Sequence, residues 1–217
     1  DYEGAIADFT KAIEINPEDG NAYRERGYAK AKLEDHKGSN ADYTKAIEIN
    51  PKDKDAYYYL GISKLNLEEY TNYEEVIAPF TKLIEIDPED GNAYLERGIA
   101  KVKLEDYEGA IADFTKAIER NPEDALAYIN SGYAKVKLED YEEALADFTK
   151  AIEINSKDSL SYINRGIAKS YLEDDKGAIA DYTKVIEINS KDEYAYSYRG
   201  YAKVNIEDYE GAIADFT

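Results

Sequence analysis

Side chains suited to acid–base or nucleophilic chemistry are few in this sequence. His36 is the only histidine and cysteine is absent, which excludes a thiolate nucleophile, a disulfide and a cysteine-ligated metal site. No Ser or Thr has a plausible general base beside it. We therefore interpret His36 as a surface imidazole and predict that these residues hold no catalytic site, no metal and no cofactor. A catalytic domain elsewhere in a longer chain is left open.

Carboxylates are the most abundant reactive groups. The chain has 47 Asp and Glu against 27 Lys and Arg, a formal net charge of −20. Two carboxylates can form a glycosidase dyad, but these recur at regular intervals, in positions suited to helix caps and solvent.

The net charge of −20 repels phosphate backbones, so nucleic acid is not expected as a partner. No apolar run approaches the roughly 18 residues of a membrane span, so membrane insertion is not expected. Any signal peptide would precede Asp1, so the compartment is unknown. The cytoplasm is the expectation.

Tyrosine occurs 22 times while Trp, Met and Cys are absent, a bias that indicates a short repeating unit. One tyrosine per unit, here called the repeat tyrosine, is followed four residues later by glycine. Successive repeat tyrosines are 34, 37, 34, 34 and 34 residues apart. They are Tyr23, Tyr57, Tyr94, Tyr128, Tyr162 and Tyr196, and the glycines are Gly27, Gly61, Gly98, Gly132, Gly166 and Gly200.

Each unit contains two predicted helices, which we call helix A and helix B. Apolar residues follow a helical period in helix B, for example at Ala110, Phe114 and Ala117. An acidic residue precedes every helix, where its carboxylate can accept from unpaired first-turn N–H groups. These are Asp19, Asp53, Asp90, Asp124, Asp158 and Asp192 for helix A, and Asp1, Asp35, Glu69, Asp106, Asp140, Asp174 and Asp208 for helix B.

A 34-residue helix–turn–helix unit with Tyr128, Gly132, Ala144, Phe148 and Ala151 at these offsets resembles the tetratricopeptide repeat, in a bacterial-type array. The resemblance covers the whole chain. It implies an all-α protein, a right-handed superhelical solenoid of antiparallel helix–turn–helix hairpins forming one domain over residues 1–217. The predicted divisions are a helix B at 1–19, complete repeats at 20–53, 54–90, 91–124, 125–158 and 159–192, and a partial repeat at 193–217.

The sequence departs from the family between helices A and B, where the usual turn glycine is replaced by glutamate. We therefore expect a turn of different shape. The residues concerned are Glu34, Glu68, Glu105, Glu139, Glu173 and Glu207.

Polar residues at matching positions predict two kinds of ion pair. An Arg three residues after the repeat tyrosine matches an Asp of the following helix B, and we predict a pair between them. The sets are Arg26, Arg97, Arg165 and Arg199 with Asp42, Asp113, Asp181 and Asp215. A Lys four residues before each turn glutamate is predicted to pair with it along the helix. Those lysines are Lys30, Lys64, Lys101, Lys135, Lys169 and Lys203.

The resemblance implies a non-catalytic scaffold that binds a peptide or protein segment in a concave groove lined by helix A. Helix A carries a second apolar stripe opposite its core face, and this stripe would face the groove. We predict a segment with apolar side chains over Leu126 to Ile167; the alternative is that these side chains pack against neighbouring helices and close the groove. The candidate groove residues are Tyr58, Ile62, Leu95, Ile99, Leu126, Ile129, Asn130, Tyr133, Leu160, Ile163, Asn164 and Ile167.

Two other functions are left open. The ten residues DYEGAIADFT occur at both 1–10 and 208–217 and no capping helix is evident, so copies could stack head to tail through uncapped ends into a self-assembling array. The chain could also be a fragment of a longer array, or the regulatory part of a protein whose catalytic domain lies elsewhere.

Overall fold

The computed structural model describes residues 1–67 and 73–217, with Tyr73 described by its backbone alone. These residues form two compact units, 1–105 and 106–217. In the described part of the chain all regular structure is α-helical, which confirms the predicted all-α class. The chain's division into repeats within a single domain stays a prediction.

The first unit contains six helices within its described residues. Even-numbered helices are helix A of a hairpin and odd-numbered helices are helix B, and each helix packs against the next. The helices are α1 (Tyr2–Ile15), α2 (Gly20–Lys32), α3 (His36–Ile49), α4 (Lys54–Leu65), α5 (Tyr73–Ile86) and α6 (Gly91–Lys103).

The second unit continues the same alternation. Consecutive helices pack against one another, and α10 also contacts both α8 and α12, so helices A lie side by side. The helices are α7 (Tyr107–Arg120), α8 (Ala125–Lys137), α9 (Tyr141–Ile154), α10 (Ser159–Tyr171), α11 (Asp175–Ile188), α12 (Glu193–Asn205) and α13 (Tyr209–Phe216).

The predicted aspartate caps are confirmed at nearly every helix start. All six helices A begin after an Asp whose carboxylate accepts from a first-turn N–H, and so do α1, α3, α7, α11 and α13. Asp140 precedes α9 without such a bond. The five helices B that have this bond, α1, α3, α7, α11 and α13, have glycine at the third position, where a Cβ would collide with the cap carboxylate; α9 has Glu143 there. Glu69 lies outside the described residues.

The turn between helices A and B differs from the expectation. Glu34, Glu105, Glu139, Glu173 and Glu207 have φ between 61° and 64°, the left-handed conformation that glycine favours. The turn therefore keeps a glycine-type backbone although its residue is glutamate, and the predicted change of shape was wrong at these five positions. Glu68 lies outside the described residues.

In five hairpins an aromatic ring of helix B lies against the glycine of helix A, at Gly27, Gly61, Gly132, Gly166 and Gly200. A Cβ added at Gly132 would approach Phe148 to 2.7 Å, and one added at Gly166 would approach Tyr182 to 2.6 Å. The other side of Phe148 packs against Ala168 of the next helix A. Glycine is thus required here for close packing between helices.

The predicted Arg–Asp pairs are confirmed at three hairpins. Arg165 donates through Nε and Nη2 to the two oxygens of Asp181, at 3.0 and 2.6 Å. Arg26 binds Asp42 and Arg199 binds Asp215 in the same bidentate way. All four arginines of the predicted set also donate to a threonine of the preceding helix B. The Arg–Thr pairs are Arg26 with Thr10, Arg97 with Thr81, Arg165 with Thr149 and Arg199 with Thr183.

The prediction for the lysines was wrong at four positions. Lys30, Lys135, Lys169 and Lys203 reach across the hairpin to a helix B aspartate at 2.7 to 2.8 Å instead of pairing along their own helix. At α8 and α9, where Ser131 replaces arginine, Lys135 alone faces Asp147. Burial alone would raise the pKa of Asp215, but the hydrogen bonds from Arg199 and Lys203 hold that pKa below its usual value.

Candidate functional site

Three large apolar side chains are exposed at one repeated position in the second unit, two residues before the repeat tyrosine. Leu126 on α8 is 48% exposed, Leu160 on α10 is 51% exposed and Tyr194 on α12 is 65% exposed. We call this set the apolar line. The helices that carry it are neighbours, since α10 contacts both α8 and α12. The equivalent positions of the first unit are polar: Asn21, Asp55 and Asn92.

The other predicted residues of the second unit surround the apolar line to different extents. Tyr133 is exposed, whereas Ile129 is buried at 8% exposure. The Asn130 amide donates to the Leu126 carbonyl of its own helix at 2.8 Å, which leaves its oxygen pointing away from that bond as an acceptor. The half-buried members are Asn130, Ile163, Asn164 and Ile167.

The predicted residues of the first unit are mainly packing residues. Tyr58 and Ile62 pack against the cluster around Phe80, Leu95 is buried and Ile99 is half-buried. The Tyr58 hydroxyl donates to Glu96 at 3.2 Å. Burial raises the pKa of Tyr58 to about 12, and burial also raises the pKa of Glu96. These four residues are not brought together on an exposed apolar surface.

Two equivalent cavities were missed by the sequence analysis. The first, of about 200 Å³, lies among α2, α3 and α4 and is the first tyrosine pocket. Its floor is the Tyr43 ring, which stacks on Tyr59 with centroids 5.9 Å apart. Its lining comprises Tyr28, Ala31, Lys32, His36, Tyr43, Tyr58, Tyr59, Ile62, Ser63 and Asn66.

The second tyrosine pocket, of about 260 Å³, lies among α10, α11 and α12. Its floor is Tyr182, stacked on Tyr198 at 5.6 Å. Tyr171 at its rim stacks on Tyr141 at 4.6 Å. The lining comprises Ile167, Ser170, Tyr171, Tyr182, Tyr198, Tyr201, Ala202 and Asn205.

A sequence signal for both pockets exists. The helix B aromatic is Tyr rather than Phe only at Tyr43 and Tyr182, and in both cases the next helix A has a second tyrosine, Tyr59 or Tyr198, two residues after the repeat tyrosine. The preceding helix A has a small residue, Ala31 or Ser170, facing the cavity. All three choices coincide where a pocket forms.

His36 is half-buried and lines the first tyrosine pocket, so its interpretation as a surface imidazole was wrong. Its Nδ1 is buried and has no hydrogen-bond partner among the described residues. Within residues 1–67 and 73–217 no group of His, Asp and Glu side chains could hold a metal ion. No helix of the described chain is long and apolar enough to cross a membrane.

The fold is a series of helix hairpins with an aromatic ring packed against a glycine, and helix A has an exposed surface. These features define a helical repeat protein, a class that typically offers its surface for binding. Models of the tetratricopeptide repeat match residues 1–19, 21–53, 42–72, 95–159 and 160–192. The chain therefore belongs to the tetratricopeptide repeat family, as the resemblance implied. No curated protein sequence matches it.

Solved structures support the same fold. YrrB, described as a TPR protein with an unusual peptide-binding site, is 28% identical, with a TM-score of 0.71 over 86% of this chain and 95% of its own. A tetratricopeptide repeat protein from Parabacteroides merdae is 21% identical, with a TM-score of 0.76 over 100% of this chain and 84% of its own. MamA from Desulfovibrio magneticus is 22% identical, with a TM-score of 0.73 over 80% of this chain and 97% of its own. As a family member the chain is a protein-interaction scaffold.

Proposed function

We propose that the second unit binds a peptide segment with apolar side chains across α8, α10 and α12, and that the protein has no catalytic activity of its own. The observation that carries the proposal is the apolar line. Three large apolar side chains, 48 to 65% exposed, occupy one repeated position on three neighbouring helices. Contiguous exposed apolar surface usually marks a contact site.

The residues beside the line suit a peptide backbone. Asn130 and Asn164 occupy the same position in consecutive helices A, and an amide can both donate to and accept from a peptide bond. Ile163 and Ile167, half-buried on α10, extend the apolar surface. The peptide-binding site described for YrrB is consistent with this use of the fold. Ile129 supports the surface from below, because it is buried.

The test begins with peptides selected from a random displayed library on the wild-type protein. Leu126→Asp with Leu160→Asp places two carboxylates on the apolar line, and we expect tenfold or greater loss of affinity, since about 1.4 kcal/mol already gives tenfold. Both side chains are about half exposed, so helicity measured by circular dichroism should not change.

The matched control is Leu138→Asp with Ile188→Asp, which changes two other exposed apolar residues, at 37% and 38% exposure. It should leave peptide affinity unchanged. The proposal is wrong if the apolar-line variant still binds, if the control loses affinity equally, or if the selected peptides lack apolar side chains.

A second candidate function is self-association of copies. The observation in its favour is that Ile213 and Phe216 of α13 are 63% and 48% exposed. Light scattering at increasing protein concentration tests it: a mass that rises with concentration supports association, and a constant monomer mass contradicts it.

A further inference from the structure

None of Leu126, Leu160 and Tyr194 of the apolar line belongs to the lining of the second tyrosine pocket, although Ile167 of the adjoining apolar surface does. Tyr171 and Tyr201 stand at its rim, 61% and 64% exposed. Its volume of about 260 Å³ is slightly below the range of roughly 300 to 1,000 Å³ for small-molecule sites. A single long side chain is therefore the better match in size.

Six tyrosine rings elsewhere in the described chain have a cation over one face. Each arginine of the Arg–Thr set lies over the repeat tyrosine of its own helix, with the guanidinium carbon 5.4 to 5.8 Å from the ring centroid. Lys32 lies over Tyr28 at 5.1 Å and Lys137 over Tyr133 at 5.3 Å. Such contacts are favourable because the ring face carries partial negative charge.

The second tyrosine pocket differs at the position that supplies this cation. Tyr28 and Tyr133 are each followed four residues later by lysine, whereas Tyr201 is followed by Asn205. Asn205 donates instead to the Asp175 carboxylate at 3.0 Å, which places a negative charge beside the rim. At the position equivalent to Lys32 the pocket has Tyr171. Its lining, as described, contains neither Lys nor Arg.

We propose that the second tyrosine pocket binds the cationic side chain of an Arg or Lys presented by a peptide partner. The tyrosine rings supply cation–π contacts, and Asp175 together with the net charge of −20 attracts a cationic segment. The first tyrosine pocket stays open although α6 packs against α4. The arrangement of tyrosines itself therefore leaves a cavity between the helices. In the first tyrosine pocket Lys32 already supplies a cation.

The experiment compares the capped tripeptide Gly-Arg-Gly with the same tripeptide containing citrulline, a neutral isostere of arginine. Binding is measured by NMR titration of tyrosine ring signals at low salt, with each ring assigned by single Tyr→Phe variants. We expect saturable binding of the Arg tripeptide with shifts at Tyr171, Tyr198 and Tyr201. The citrulline tripeptide should bind at least about fivefold more weakly. Equal affinity for the two probes, or no saturation, overturns the proposal.

Two variants locate the site. Tyr201→Leu keeps an apolar side chain at an exposed position but removes the ring, and should weaken Arg tripeptide binding about fivefold. Asn205→Lys recreates the lysine that follows Tyr28 and Tyr133, and this internal cation should compete with the probe and weaken binding similarly. Unchanged affinity in either variant contradicts the assignment.

The apolar-line variant, Leu126→Asp with Leu160→Asp, serves as the control. It should bind the Arg tripeptide at least as well as the wild type, because it leaves the lining of the second tyrosine pocket intact. Failure of the apolar groove and failure of the cation pocket are thus seen in different variants. Loss of probe binding in this control contradicts the proposed site.

Discussion

Helices α2 to α4 and helices α10 to α12 form equivalent cavities from matching residues. The two cavities differ in the charge of their lining. Both have a buried helix B tyrosine stacked on a tyrosine of the next helix A, and both have a bidentate Arg–Asp pair beside it. The first contains Lys32 over a ring, whereas the second has Tyr171 at the equivalent position and no cation in its described lining. The internal residues of the repeat are thus kept in both regions, while residues at its exposed positions differ.

The largest effect is expected from the buried ion pair, which should matter equally in both regions. Arg165→Leu leaves Asp181, 3% exposed, with Lys169 as its remaining cation. We expect a loss of about 2 to 3 kcal/mol in unfolding free energy, measured by urea denaturation, because removing one partner of a buried ion pair is costly and Lys169 compensates Asp181 only in part. Arg26→Leu should cost a similar amount.

Replacing both members of the pair gives the control. Arg165→Leu with Asp181→Leu should recover much of the lost stability, since no buried carboxylate then remains and Lys169, at 20% side-chain exposure, is the one charge that loses its partner. The hairpin of α4 and α5 already has Leu60 and Pro79 at these positions. A double variant less stable than the single variant would contradict this account.

A smaller effect, and an unequal one, is expected at the glycines under the two tyrosine floors. A Cβ at Gly166 would approach Tyr182 to 2.6 Å, whereas a Cβ at Gly27 would approach Tyr43 only to 2.9 Å. Gly166→Ala should therefore lower the unfolding free energy by about 2 kcal/mol and Gly27→Ala by less, with the better helix propensity of alanine offsetting part of each loss.

Gly20→Ala is the matched control for the glycine substitutions. At Gly20 the nearest heavy atom would be 3.3 Å from the new Cβ, so denaturation should show little change. If Gly27→Ala proved more destabilising than Gly166→Ala, the two floors would not be packed as described.

The smallest effect is expected from ionisation of the floor tyrosines. Burial raises the pKa of Tyr182 from 10.0 to about 12, and burial also raises the pKa of Tyr43. The folded state therefore favours the protonated phenol, and this contribution is present below the unfolded pKa and lost as pH rises toward the folded pKa. Tyr182→Phe should reduce the alkaline loss of unfolding free energy by about 1 kcal/mol at about pH 11.

The measurement for this variant is the change in unfolding free energy between about pH 9 and about pH 11, compared with the wild type. Phe148 occupies the equivalent position in another hairpin, so phenylalanine fits the core. Tyr43→Phe should behave in the same direction in the first unit. An alkaline loss identical to that of the wild type would show that Tyr182 ionises as freely as in the unfolded chain.

The helices and their caps were predictable because each depends on residues near in sequence. The Arg–Asp pairs were predictable because both partners change together between repeats, as at Leu60 and Pro79. Lysine behaviour was not: a lysine can pair along its helix or across the hairpin, and the buried aspartates attract it more strongly than exposed glutamates because solvent screens the latter. The turn glutamates likewise show that packing of the hairpin overrides local backbone preference.

The candidate site was predictable in part. Leu126 and Leu160 are exposed as an open groove requires, whereas Ile129 and Leu95, one residue after the repeat tyrosine, are buried. The spacing of apolar residues predicts which face of a helix a side chain lies on. It does not predict how much of that face the neighbouring helix buries. The tyrosine pockets depend on residues of three helices at once, so no single helical pattern indicates them.

The arginines that join three helices also have a consequence for folding cooperativity. Arg165 binds Asp181 on the following helix B and Thr149 on the preceding one, so opening either neighbour breaks a bond held by a shared side chain. At α8 the arginine is replaced by Ser131, which makes no such link among the described residues. Local opening should therefore be less coupled across α7 and α8 than at the junctions that an arginine spans, and amide hydrogen exchange there should be faster.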